Sequence, residues 1–211
     1  KVQVNDQEWR AYVVGGSPAQ AVQHGILEIM PVRPDLVVSG INYGENLGTG
    51  VTVSGTIGAA MEAAASNIPA LAISLETDQE HHLSYSTEID FSTSAFFTGY
   101  FARLLLEKRF PDDVNLLKVD VPRAANRLTP WQITRLSRQR YYDPLPPTRS
   151  SWDIPSKVGY REAADLCNEP MGTDVYALCK QRVVAVTLLS LDLTSRVDFD
   201  ELDKFLRTDG E

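Results

Sequence analysis

The chain has 211 residues, 43% of them hydrophobic and 23% charged, with a formal net charge of −8 at pH 7. That length suits one well-buried α/β domain with room for an appended arm. The negative balance argues against duplex nucleic acid held by counterion release, yet leaves open a small anionic substrate at a locally positive or metal-bearing site.

The two cysteines, Cys167 and Cys179, have neither CxxC spacing nor neighbouring histidines, so neither a zinc site nor a disulfide scaffold is indicated. No apolar run approaches the ~20 residues of a membrane span, and no basic-then-apolar leader precedes Val2. The expected location is the cytoplasm.

In chain order, Lys1 to Arg10 is polar and reads as irregular, and Ala11 to Val14 reads as a short strand stopped by Gly15-Gly16. Ser17-Pro18 reads as a helix start, with serine as cap and proline at the first helical position. Ala21, Val22, Ile26 and Leu27 supply its apolar face. After a turn at Pro31 to Pro34, Asp35 to Ser39 reads as a strand whose continuous apolar centre suits cover on both faces.

From Ser39 to Glu62 the chain is rich in glycine and small polar residues, then passes into the helix-forming run Ile57 to Ala65. The reading is strand, polar loop, helix N-terminus, and such a terminus presents unpaired N–H groups suited to phosphate. Asn67-Ile68-Pro69 ends the helix and Ala70 to Leu75 is a second buried strand. Glu76 to Ile89, with His81-His82, reads as a surface loop. Phe96, Phe97, Tyr100, Phe101, Leu104 and Leu105 recur at helical spacing within Thr93 to Lys108. Val114 to Val121 is another strand, and the alternation of strand and helix argues for right-handed crossovers and a mainly parallel sheet.

Beyond Pro122, Arg135, Arg138, Arg140, Tyr141-Tyr142, Pro144, Pro146 and Pro147 mark an extended arm, placed at residues 133–160. It reads either as a hairpin that pairs with another subunit or as a mobile loop. Val183 to Leu189 is a clear strand, and Asp198 to Leu206 a closing amphipathic helix capped by Asp198.

Ligands of open parallel sheets sit beyond the carboxyl ends of strands, where Ser39 to Asn42 falls. Asn42 offers a neutral oxygen for a hard cation, or simply turns the chain beside glycines. Ser54-Gly55-Thr56 offers two hydroxyls and open backbone at a helix start for phosphate oxygens, or ordinary capping. The Walker loop, the dinucleotide GxGxxG and the GxSxG elbow are all absent from the sequence. His24, His81 and His82 lack a motif context and read as surface or packing residues.

Gly16-Ser17-Pro18-Ala19, the run Pro34 to Gly48, and Ser54 to Glu62 together resemble the SurE (stationary-phase survival) family. Asn67 to Ser74, Asn115 to Pro122, Thr134-Arg135, Tyr141-Tyr142, Gly172 to Leu178 and Leu191 to Thr194 extend the resemblance over nearly the whole chain. The resemblance implies a Rossmann-like, three-layer α/β/α domain over 1–211 with a β-hairpin arm. It implies a phosphatase of nucleoside monophosphates dependent on a divalent metal, Mg2+ or Mn2+, in some members acting also on short polyphosphate. It further implies homodimers or homotetramers built through the arm and the C-terminal segment. Asn42 matches the family's asparagine metal ligand, and Ser54, Gly55 and Thr56 match its phosphate-side loop.

The family's NDDG segment, source of its aspartate ligands, and a later serine ligand have no counterpart here. Asn5-Asp6 is followed by Gln7-Glu8, so Asp6 is not given the aspartate role. The chain reads as starting downstream of the family's first strand, and hard cations need several oxygens, preferably anionic. Besides the enzyme, a non-catalytic nucleotide- or anion-binding module stands as the alternative, with a scaffold using the Arg135 to Ser151 arm as a third reading.

Overall fold

The computed structural model describes residues 1–84, 86–164 and 166–207, the side chain of Cys167 excepted. In chain order the regular elements are β1 (Val2–Val4), β2 (Gln7–Trp9), α1 (Pro18–His24), β3 (Val37–Tyr43), α2 (Gly55–Ala65), β4 (Ala70–Leu75) and α3 (Ser92–Glu107). There follow β5 (Leu116–Val121), β6 (Trp131–Thr134), β7 (Tyr142–Leu145), β8 (Gly159–Glu162), α4 (Asp174–Tyr176), β9 (Val184–Leu189) and α5 (Phe199–Arg207). The central sheet has the order β3-β4-β5-β9-β6. Its β3-β4, β4-β5 and β9-β6 pairs are parallel, and only β5-β9 is antiparallel. The fold is thus α/β with a mostly parallel sheet.

Alternation along the strands sorts the core into two faces. Leu71, Ile73 and Leu75 of β4 pack with Phe97, Phe101 and Leu105 of α3. Ala70 and Ala72, on the opposite face, pack with Ile57, Ala60, Ala63 and Ala64 of α2. The small side chains of α2 let it lie close to the sheet, while α3 fills its side with aromatic rings. These are the outer layers of an α/β/α sandwich.

The start of α1 forms a full capping box: Ser17 Oγ accepts from Gln20 N, and Ser17 N donates to Gln20 Oε1. Asp198 Oδ1 accepts from the backbone N–H groups of Asp200 and Glu201, so it caps α5 as its position suggests.

Three sequence readings need correction. Ala11 to Val14 is not a strand, for it has no neighbour to pair with among the described residues and Val13 is fully exposed. Lys1 to Arg10 is not irregular but forms the β1-β2 hairpin, turned by Asn5 and Asp6 at φ 48° and 61°. Both central residues at positive φ make the turn whose twist matches antiparallel strands. Finally, β3 is not covered on both faces: its burial alternates, Val38 is 41% exposed, and β4 is its only partner among the described residues.

Ile133 and Thr134 belong to the edge strand β6, so the segment that leaves the sheet begins after them. It folds into the separate antiparallel pair β7-β8, where Tyr142 faces Glu162 and Leu145 faces Gly159. Among the described residues, no helix is long and apolar enough to cross a membrane.

Candidate functional site

A cavity of about 590 Å³ opens where β3 ends, within the size range of small-ligand sites. On its loop side it is lined by Asn42 to Leu47 and by Thr49 to Ser54 without Val51; on its arm side by Arg140, Tyr142, Pro144 and Val158 to Tyr160, with His82 between. Loop and arm are far apart in sequence, and the fold brings them to one place.

The loop side depends on glycine at two positions. Gly40 has φ +121°, and a Cβ there would stand 2.3 Å from the Ile73 carbonyl oxygen. It sits where the β3-β4 register shifts, between Ser39 and Asn42, and the shift delivers Asn42 to the strand end. Gly48 has φ +53°, and its Cβ would stand 2.3 Å from the Gln139 carbonyl oxygen. Asn42 Nδ2 donates to the carbonyl oxygens of Gly44 (2.7 Å) and Tyr43 (3.3 Å). Both amide hydrogens are thereby engaged, which leaves Oδ1 as the acceptor.

Beneath the loop lies a buried charge triad. Lys118 Nζ contacts Asp120 Oδ2 and lies 3.0 Å from Asp174 Oδ2, with all three side chains fully buried. Burial alone would lower the Lys118 ammonium, but the two carboxylates outweigh it and hold its pKa above the ordinary value. Their remaining capacity is spent on backbone. Asp120 Oδ1 accepts from Asn46 N at 2.7 Å, Asp174 Oδ2 from Gly48 N at 3.0 Å, and Asp174 Oδ1 from Ser137 N at 2.8 Å. Asn46 Nδ2 also donates to Ser74 Oγ at 2.7 Å. The triad therefore pegs the glycine loop to β5 and to the segment before the arm.

Ser54 is the cap of α2, its Oγ accepting from Ile57 N at 3.1 Å. Its hydroxyl hydrogen stays available to a ligand. Gly55 and Thr56 follow in the first turn of α2 but do not line the cavity, and a Cβ on Gly55 would come 2.9 Å from Pro18 Cγ. Of the four residues expected from sequence, then, Asn42 and Ser54 share the cavity, and Gly55 and Thr56 stand beside it.

Sequence reasoning missed Glu45, His82, Arg140, Tyr142 and Tyr160. Glu45 is 5% exposed and accepts from Tyr142 Oη through Oε1, while Oε2 has no hydrogen-bond partner among the described residues. Burial, only partly offset by the Tyr142 hydrogen bond, pushes its pKa up to about 7. His82, pushed below its ordinary value by burial, is neutral at pH 7. Its Nε2 lies 3.4 Å from the Thr77 carbonyl oxygen and its Nδ1 2.9 Å from Tyr160 Oη. The neutral ring donates from Nε2, so Nδ1 accepts from the Tyr160 hydroxyl. No local signal pairs them, since 97 residues separate Tyr142 from Glu45 and 78 separate Tyr160 from His82.

The donor set does not by itself suit a divalent cation. Asn42 offers one neutral oxygen, Glu45 is engaged with Tyr142 and titrates near neutrality, and the described residues contain no group of three His, Cys, Asp or Glu able to hold a metal. Hard cations need several oxygens.

Residues 1–143 match the family model described as Survival protein SurE. The chain belongs to the SurE family. It is 42% identical to the 5'-nucleotidase SurE of Thermococcus gammatolerans, over 93% of this chain and 72% of the relative. It is 38% identical to the 5'-nucleotidase SurE of Methanosarcina mazei, over 93% of this chain and 74% of the relative. Its fold matches the crystal structure of a SurE protein from Aquifex aeolicus with a TM-score of 0.66 at 29% identity, covering 90% of this chain and 73% of that one. The α/β sheet and the polar loop after β3 are thus those of a SurE family member.

Proposed function

We propose that this chain is a phosphomonoester hydrolase acting on nucleoside 5'-monophosphates to give nucleoside and phosphate. The observation that carries the reading is the shared cavity of Asn42 and Ser54, in a chain whose relatives bear the name 5'-nucleotidase SurE. Water attacks phosphorus, the bond to the nucleoside oxygen breaks, and that oxygen takes a proton. The charge that builds on the phosphoryl oxygens meets the Ser54 hydroxyl, the first N–H groups of α2 and the Arg140 guanidinium. Short polyphosphate presents the same terminal phosphoryl group and belongs to the proposal as a second substrate.

Dependence on Mg2+ or Mn2+ is part of the same proposal, with Asn42 as one ligand. The described residues do not complete such a site, so the further oxygens would come from elsewhere. That shortfall in the donor set favours a second reading, a nucleotide-binding module without catalysis. Assembly into a homodimer or homotetramer is proposed through the arm and the C-terminal segment, where Phe199, Leu202 and Leu206 of α5 are exposed. Action in the cytoplasm is proposed with it.

Phosphate release from a panel of nucleoside 5'-monophosphates, with and without added Mg2+ or Mn2+, tests the hydrolase. The expected result is cation-dependent release that falls on the order of a hundredfold in Ser54→Ala, as for loss of one oxyanion donor. Binding of nucleotide with no release under any cation would replace the hydrolase with the binding module.

A further inference from the structure

The arm side of the cavity carries a cluster of three half-buried rings. His82 and Tyr160 stack at 5.9 Å with an interplanar angle of 14°. Tyr142 meets both edge-on, at 5.7 Å from His82 and 5.3 Å from Tyr160. All three line the cavity, so the rings brace one another while keeping surface open to it. Packing of the arm onto the loop accounts for the ring contacts. It does not account for Glu45, which lines the same cavity with a carboxylate oxygen buried and unpartnered among the described residues. Buried polar groups are hydrogen-bonded as a rule, and an exception at a cavity points to a missing partner.

We infer that His82, Tyr142 and Tyr160, with Glu45 among them, form a nucleobase subsite. It takes a flat heterocycle against the rings and an N–H of that heterocycle on Glu45, while the phosphate of the same nucleotide is held at the Ser54 end of α2. Flat bases stack on aromatic side chains whatever their identity, and an N–H donor on the base edge is what Glu45 Oε2 lacks in its ionised form. The inference rests on the nucleotide reading above. It goes beyond that reading in assigning the base, and not only the phosphate, to particular residues: Tyr142 and Tyr160 of the arm, with His82 and Glu45 facing them. The arm is then part of the substrate site of its own chain.

Equilibrium binding of adenosine 5'-monophosphate and of ribose 5-phosphate to the full chain, measured by titration calorimetry without added metal, tests it. Both ligands carry the phosphate and only one carries a base. The expected result is tighter binding of adenosine 5'-monophosphate, with the ratio of the two affinities reduced about tenfold in Tyr160→Leu and restored in Tyr160→Phe. Glu45→Leu, which removes the unpartnered oxygen while keeping side-chain bulk, is expected to lower the ratio without lowering the melting temperature, and serves should Tyr160→Leu not fold. Equal affinity for the two ligands in the unaltered chain overturns the subsite, as does a ratio that both Tyr160→Leu and Glu45→Leu leave unchanged. In those cases the phosphate reading stands. Failure of the phosphate reading looks different, since ribose 5-phosphate would then not bind at all.

Discussion

Asn46 and Gly48, on the loop side of the cavity, hang from carboxylates with no exposure at all. Tyr142 and Tyr160, on the arm side, belong to a two-stranded sheet whose Leu145, Arg161 and Glu162 face water. The loop side is fixed by charge and hydrogen bonds in a dry interior, where each lost partner is expensive. The arm side is fixed by ring contacts and by the hydrogen bond from Tyr142 to Glu45 of the loop, where each contact is weaker and partly open. A phosphate, with its strong and directional demands, suits the first kind of surface; a base, which needs a flat face and one polar contact, suits the second.

The comparison can be broken at its strong end first. Lys118→Met leaves Asp120 and Asp174 buried without their cation, and is expected to cost about 3–5 kcal/mol in urea unfolding at neutral pH. The loss should shrink toward acid pH, where Asp120, whose carboxyl is pushed up by burial, can take up a proton. The corresponding change on the arm side, Tyr142→Phe, is expected to cost less than half as much.

Glu45 gives the next effect, and its sign is opposite to that of a salt-bridged acid. Its pKa is raised from 4.5 to about 7 in the folded chain, so the folded state holds the proton longer than the unfolded state. Stability should therefore fall as pH rises from about 4.5 to about 7, by about 3 kcal/mol in all, and level off above. In Glu45→Gln that slope should vanish; a slope equal to that of the unaltered chain in thermal melts across this range would rule out Glu45 as its source.

Gly48→Ala places a side chain at φ +53° against the Gln139 carbonyl and is expected to cost on the order of 1–3 kcal/mol. The smallest effect separates capping from ligand binding at Ser54. Ser54→Ala should lose about 1 kcal/mol and Ser54→Gly only a few tenths, while both lose the hydroxyl and so weaken phosphate binding alike. Phosphate binding that survives in either variant would confine Ser54 to its structural role.

Much of the fold was legible because strands and helices that bury one face write their period into the chain. Ala70 to Leu75 was readable to the residue, and α3 and β9 to within one. The hairpin at Asn5-Asp6 was not, since its turn uses non-glycine residues at positive φ and its strands expose both faces. The edge position of β3 was equally hidden, for Leu36-Val37-Val38 looks the same whether one face or two are covered.

By itself the sequence determined the α/β alternation, the caps at Ser17, Ser54 and Asp198, and the positions of Asn42 near the end of β3 and Ser54 at the start of α2, because each rests on residues close together in the chain. The tertiary structure alone decided that Lys118, Asp120 and Asp174 would meet under the loop, that Glu45 would be buried against Tyr142, and that His82 would join Tyr160. These are contacts between distant segments, set by how the sheet is ordered and where the arm folds back. Local pattern carries no information on such pairs, and burial, not residue type, gives them their energies.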